Sequence, residues 1–167
     1  MTGMAHIERP YEGQTNDWWT PPELVESLGE FDLDPCGGVG QNPLAKHVYT
    51  PPEDGRNLDW FGRVFCNPPY GPHVGYWVAQ MAQHGNGIML IFARPETQAW
   101  KMVWMTATAI LFLDKRITFH RPSGGQVNSG TAPSALIAYG AENVWALRTS
   151  GQSGELVTKW EHQSRGA

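Results

Sequence analysis

The segment Asn67-Pro68-Pro69-Tyr70 holds the residue types needed to manage a planar, weakly nucleophilic amino group. Consecutive prolines lock the backbone, so the Asn67 side-chain oxygen and the Pro68 carbonyl can point together at one amino nitrogen. Tyr70 supplies an aromatic face beside them. In the exocyclic amino groups of adenine and cytosine the nitrogen lone pair is delocalised into the ring. Acceptors on both N–H bonds favour a pyramidal nitrogen whose lone pair can attack an electrophilic methyl group, and they stabilise the positive charge that develops. Stacking on Tyr70 would hold a base outside its helix, offsetting part of the unstacking cost. The bland alternative is a rigid turn after a strand, with Tyr70 packed on the surface.

The surrounding chain alternates strand and helix signals that would position this segment. Phe31-Asp32-Leu33-Asp34 alternates apolar and acidic residues as a short strand does, and Pro35-Cys36-Gly37-Gly38 turns the chain at its end. Asp34 therefore stands at a strand's carboxyl edge. Arg63 to Cys66 reads as a second strand running into Asn67. Upstream, Thr20-Pro21-Pro22-Glu23 has the pattern of a helix start, with Thr20 as cap, Glu23 completing a capping box and Gly29 as the stop. Val74, Trp77, Val78 and Met81 recur at helical spacing between His73 and His84, and Gly85 and Gly87 close that segment.

Residues 88–93 form an uninterrupted apolar run suited to a strand buried on both faces. Thr97 to Thr106 reads as helix, Ala109 to Leu113 as a buried strand, and Ile117–His120 with Ala135–Tyr139 as an antiparallel pair. Residues 39–59 read as irregular, 122–133 as a mobile loop, and the stretch after Arg148 as a loosely held polar tail. The expected architecture is one α/β domain over residues 1–148 with a tail at 149–167. Its sheet is mostly parallel and covered on both faces, with an antiparallel element near the C-terminus. Ligands in such sheets bind beyond the carboxyl ends of the strands, so one crevice can hold Asp34 and Asn67.

Among the 167 residues, 19 Gly and 13 Pro forecast many turns, yet 41% hydrophobic content and eight Trp supply a core and exclude disorder. No run approaches the roughly 18 apolar residues of a membrane span, and residues 1–13 lack a signal-peptide apolar stretch, so a cytoplasmic protein without a membrane partner is expected. Cys36 and Cys66 are the only cysteines and have no CxxC spacing, which argues against a disulfide framework or a zinc site; no metal is expected. The net charge of −4 conceals an asymmetry: residues 1–60 carry eleven acids and three bases, residues 61–167 five acids and nine bases. The stretch from Arg94 to Arg121 is basic and suits phosphates, although an ordinary solvated face has the same composition.

Five segments resemble, in content and in order, the phage-type DNA N6-adenine methyltransferases of the Dam family. They are Trp19-Thr20-Pro21-Pro22, Phe31-Asp32-Leu33-Asp34-Pro35-Cys36, Asp54-Gly55 through Asp59-Trp60, Phe65-Cys66-Asn67-Pro68-Pro69-Tyr70-Gly71 and Arg116-Ile117-Thr118-Phe119. The resemblance spans about Asp17 to Tyr139. It implies a Rossmann-like S-adenosylmethionine-dependent methyltransferase fold, methyl transfer to adenine N6 in DNA by direct displacement with the base flipped out, and a phage or prophage origin in a bacterial host.

The resemblance also implies roles for individual residues. Asn67, Pro68, Pro69 and Tyr70 would be catalytic. Cofactor contacts would come from Trp19, Thr20 and Pro21, whose helix start would meet the cofactor's methionine carboxylate. Asp34, Pro35 and Cys36 would form a second set, with Asp34 accepting from ammonium or sugar groups. Asp54, with Asp59 as its rival, would meet the cofactor's adenine amino group, and Asn67 would complete the pocket. DNA contacts would come from Tyr70, Lys115, Arg116, Phe119 and Arg121. Two roles stay open for Phe119, contact with the flipped base or burial in a strand. Two also stay open for Arg116, a phosphate contact or an ion pair with Asp114.

The glycine-rich turn of the wider methyltransferase pattern is reduced here to Asp34-Pro35-Cys36-Gly37-Gly38 and Gly40. Pro35-Cys36 is also the dipeptide of cytosine-C5 methyltransferases and zinc deaminases. It precedes an amino-directed motif, however, and no PCxxC accompanies it. Cytosine-N4 methylation remains an alternative, as does a nucleic-acid-binding relative without turnover. A separate recognition domain has no room in this chain, so recognition falls to loops 39–59 and 122–133 or to a second subunit in a homodimer, and a short or relaxed target follows.

Overall fold

Alternation of side chains along the apolar runs sorts the protein into two packed layers around one sheet. The computed structural model describes residues 18–128 and 132–160. In chain order the elements are α1 (Pro22–Glu26), β1 (Leu33–Asp34), β2 (His47–Val48), β3 (Val64–Cys66), α2 (Val74–His84), β4 (Gly87–Phe92) and α3 (Gln98–Thr106). They continue as β5 (Ala109–Leu113), β6 (Thr118–His120), β7 (Gln126–Asn128), β8 (Ser134–Tyr139), α4 (Ala141–Thr149) and β9 (Gly154–Val157).

Along β4, Ile88 and Leu90 join Leu24, Val25, Phe31, Phe65 and Leu147 on one face of the sheet. Met89 and Ile91 join Trp77, Val78, Met81, Trp100 and Val103 on the other. The period-two pattern thus places α1 and α4 on one face and α2 and α3 on the opposite one. Helix α2 stops where Gly85 takes a left-handed conformation, φ 76°, and donates its N–H to the Met81 carbonyl at 2.8 Å.

The seven-stranded sheet has the order β2-β1-β3-β4-β8-β5-β9. Strands β2, β1, β3 and β4 are parallel neighbours, whereas β8 runs antiparallel between β4 and β5, and β9 antiparallel to β5. The sheet is therefore mixed, with β8 and β9, near the C-terminus, running against the other five strands. The expected pairing of residues 117–120 with 135–139 is corrected. All six residues of β8 are buried, and it takes the interior position where both faces are covered. Strand β6, with Thr118 and His120 only half-buried, pairs instead with β7 as a separate hairpin.

Three shorter expectations change as well. Residues 126–128, read as part of a mobile loop, form β7, while 129–131 lie outside the described residues. Strand β2 arises within the stretch read as irregular, pairing Leu33 with His47 and Asp34 with Val48. The tail expected after Arg148 contains β9, whose Leu156 sits opposite Leu111; residues 161–167 lie outside the described residues. No described helix is long and apolar enough to cross a membrane.

Candidate active site

The order of the first three strands creates the crevice. From β1 the chain moves to β2 on one side and returns to β3 on the other, and a ligand crevice opens at the carboxyl ends where such a sheet reverses. Asp34 ends β1 and Asn67 follows β3, so both sit at this opening. A cavity of about 420 Å³ lies there, walled by Trp18, Trp19 and Thr20 and by residues 34–38, 54–56 and 67–73. That volume is in the range of small-molecule sites.

Asn67 is held by a residue expected to serve another purpose. Its Nδ2 donates to Thr20 Oγ1 at 2.9 Å, and Thr20 is only 2% exposed. Helix α1 has Pro21 as its N-cap and no side-chain cap, so the expected Thr20 capping box is replaced by this tie between the segment before α1 and the loop after β3. The tie leaves Asn67 Oδ1 buried without a hydrogen-bond partner among the described residues. An unpaired buried acceptor costs about 1–3 kcal/mol, which a ligand N–H at this point would relieve. Thr20→Val, nearly isosteric, leaves the Asn67 amide N–H unpaired and should lower stability by about 1–3 kcal/mol. Thermal denaturation checks that loss, and a parallel drop in the turnover of the site reports the freed amide.

The rest of the cavity wall is as specific. Asp34 is 4% exposed and accepts the Cys36 backbone N–H at 3.0 Å. Burial pushes its carboxyl up to about 6, partly countered by the Cys36 hydrogen bonds. No Lys, Arg or His forms an ion pair with it among the described residues. A buried carboxylate without a cation is an incomplete pair that a cationic ligand would complete.

Cys36 Sγ donates to the Asn67 carbonyl at 3.2 Å and lies 3.4 Å from Cys66 Sγ. Burial pushes both thiols up, so they stay protonated, the wrong state for a thiolate nucleophile. Trp19 Nε1 is buried without a partner among the described residues, and a Cβ on Gly38 would come within 2.8 Å of it. Gly38 is therefore needed for the close approach of this turn to the indole.

Tyr70 stacks on Phe92 with ring centroids 4.1 Å apart and planes 9° from parallel. Burial raises the pKa of its phenol, which stays protonated, and the buried hydroxyl has no partner among the described residues. Pro68 is buried and Pro69 exposed. Asp54 stands on the cavity wall while Asp59 does not. The Arg56 guanidinium binds Asp54 at 2.9 and 2.7 Å and holds its carboxyl below the usual range. Pro21 is buried as the α1 cap and does not line the cavity.

A family model described as DNA N-6-adenine-methyltransferase (Dam) matches residues 10–149. The chain belongs to this family. No curated protein and no solved structure matches it. Dam membership points to adenine methylation with DNA as the substrate, and every segment lining the cavity falls within the matched residues.

In this Dam-family chain the other expected DNA contacts separate. Strand β5 runs in the same direction as β4, since both are antiparallel to β8, so exposed Lys115 and Arg116 follow its carboxyl end on the edge that carries the cavity. Arg121, after β6, lines a second cavity of about 390 Å³ that shares Trp19, Thr20 and Gln41 with the first. Phe119 is corrected: it is fully buried, edge-on to Trp18 at 5.9 Å, and has no surface for a base. Among the described residues no group of His, Cys, Asp or Glu could hold a metal ion.

Sequence reasoning missed Phe92 and Arg56. Phe92 was absorbed into an apolar strand run, and only its place at the carboxyl end of that run pointed to the crevice. Arg56 carried a weak signal, the i+2 spacing from Asp54.

Proposed function

We propose that the protein transfers a methyl group from S-adenosylmethionine to the exocyclic N6 of adenine in DNA by direct displacement, with the base flipped into the crevice between β1 and β3. The observation that carries this reading is the buried Asn67 Oδ1, oriented by Thr20 and lacking a partner among the described residues. The donor, when bound, supplies an activated methyl carbon as electrophile. Asp34 accepts from its ammonium or sugar groups. The Trp19 indole N–H and the Thr20 hydroxyl hydrogen are donors suited to its carboxylate, and Asp54 suits its adenine amino group. Pro35 and Cys36 shape the adjoining turn. This donor set matches a zwitterionic ligand with a cationic centre, and a mixed sheet with helices on both faces suits a Rossmann-like methyltransferase scaffold.

Asn67 Oδ1 and the Pro68 carbonyl accept the two N6 hydrogens of the target base, drawing the lone pair out of conjugation. Tyr70 stacks on the base, and the consecutive prolines keep the acceptors fixed, so little reorganisation is needed at the moment of transfer. The N6 proton leaves to water at the open side of the cavity. Lys115, Arg116 and Arg121 contact phosphates. Arg116→Ala should weaken DNA binding and reduce the slope of log K against log salt by about one. Binding titrations across salt concentrations check this, and an unchanged slope removes Arg116 from the interface.

Labelled donor incubated with synthetic DNA tests the reaction. Label should enter duplexes that contain adenine but no cytosine on the labelled strand, and should not enter strands that contain cytosine but no adenine. The reverse pattern identifies cytosine-N4 methylation, and DNA binding without incorporation identifies a relative without turnover.

A further inference from the structure

We infer that Phe92 is a positioning residue for the transfer step: it sets the plane of the Tyr70 ring from behind and leaves the opposite ring face for the flipped base. This rests on the methyltransferase function proposed above. Strands β3 and β4 are parallel neighbours, with Cys66 opposite Met89, so Phe92 at the end of β4 stands beside the loop that carries Tyr70 away from β3. The two rings form a near-parallel stack, 4.1 Å between centroids and 9° between planes.

Pro68 and Pro69 fix the loop backbone but not the Tyr70 side-chain torsions. Its hydroxyl has no hydrogen-bond partner among the described residues, so no such bond orients the ring either. Among the described residues its aromatic contact is the stack on Phe92, which sets the ring plane. Phe92 is itself anchored, because its carbonyl accepts the Trp100 indole N–H at 2.6 Å and its backbone pairs with Ser134 of β8. The backbone that carries the ring behind Tyr70 is thus held from α3 and from β8 at once.

Geometry links this support to rate. A base stacked on Tyr70 inherits the tilt of that ring, while its amino group must stay in reach of Asn67 Oδ1 and the Pro68 carbonyl. The attacking lone pair projects out of the base plane, so a loose Tyr70 ring misaligns attack even where the donor remains bound. The phenylalanine ring has no atom that reacts, and its effect passes entirely through Tyr70.

The test is a double-mutant cycle on the full chain, scored by single-turnover methyl transfer to DNA and by equilibrium binding of S-adenosylmethionine. Phe92→Leu should lower the transfer rate about three- to tenfold, the scale of a lost aromatic pair, with donor affinity unchanged and with Phe92→Tyr restoring the rate. In the Tyr70→Ala background Phe92→Leu should cost nothing further. Equal losses in both backgrounds, or full activity in Phe92→Leu beside a strong defect in Tyr70→Ala, overturn the inference and leave the methyltransferase function standing. A wild-type chain that transfers no methyl overturns that function and the inference together. Should Phe92→Leu fail to fold, Phe92→Met takes its place with the same outcomes.

Discussion

Asn67→Ala should lower methyl transfer by about a hundred- to a thousandfold, the scale seen when one preorganised polar group is removed from a charge-stabilising site, while donor affinity stays within about threefold. The substitution deletes the acceptor that meets the N6 hydrogen and frees Thr20, whose hydroxyl now receives the Asn67 amide at 2.9 Å. It leaves Asp34 and the wall around it untouched. Asn67→Asp separates the two effects. The Thr20 hydroxyl can reverse from acceptor to donor, and one carboxylate oxygen still faces the cavity, so partial activity is expected. Single-turnover kinetics with separately measured donor binding check both variants. An alanine variant with near-normal turnover would remove Asn67 from the chemistry.

The second large effect is at Asp34, where stability and binding should move in opposite directions. Its folded pKa is raised by burial to about 6, above the ordinary 3.8, so the folded state holds a proton more tightly than the unfolded chain. Stability without ligand therefore falls as pH rises from about 4 through 6 and stays lower above it. Asp34→Asn removes that fall and should raise stability at pH 8 by up to about 3 kcal/mol. The same substitution removes the charge that meets a cationic donor, and affinity should drop roughly ten- to a hundredfold, the range for hydrogen bonds to charged groups. In the wild type, donor binding should weaken as pH falls through about 6 and the carboxylate takes up its proton. Thermal melts and binding titrations between pH 5 and 8 measure both responses. A variant that loses stability at pH 8, or binds the donor as before, assigns Asp34 to structure alone.

The place of the candidate site was more legible in the sequence than the scaffold, since Asp34 and Asn67 do line one cavity. Asp34 and Asn67 each follow an apolar strand and precede a proline-rich turn, a local pattern that needs no knowledge of distant partners. Helices α2 and α3 and strands β4 and β5 were likewise marked by their own periodicity. The position of β8 was not, because the five-residue apolar run Ala135–Tyr139 says that both faces are buried but not which neighbours cover them. Strands β2 and β9 are too short for periodicity to mark, and each forms at an edge of the sheet, β2 against the equally short β1 and β9 against β5.

The role of Thr20 was hidden for a related reason. Its place before two prolines is a sound helix-start signal, but the bond to Asn67 crosses 47 residues and outweighs the cap. Phe119 shows the opposite limit: the Arg-Ile-Thr-Phe segment carries family character, while burial of Phe119 under Trp18 is a property of the β6–β7 hairpin. Phe92, read as one more core residue, acquires a second role only because β3 and β4 end side by side.

The most direct measurement is mass spectrometry of the deoxynucleosides released from unmethylated DNA after incubation with the protein and isotopically labelled S-adenosylmethionine, with Asn67→Ala run beside it. The expected product is labelled N6-methyldeoxyadenosine from the wild type and almost none from the variant. Labelled N4-methyldeoxycytidine, no methylated nucleoside from the wild type, or equal yields from both proteins would contradict adenine methylation at the Asn67 site.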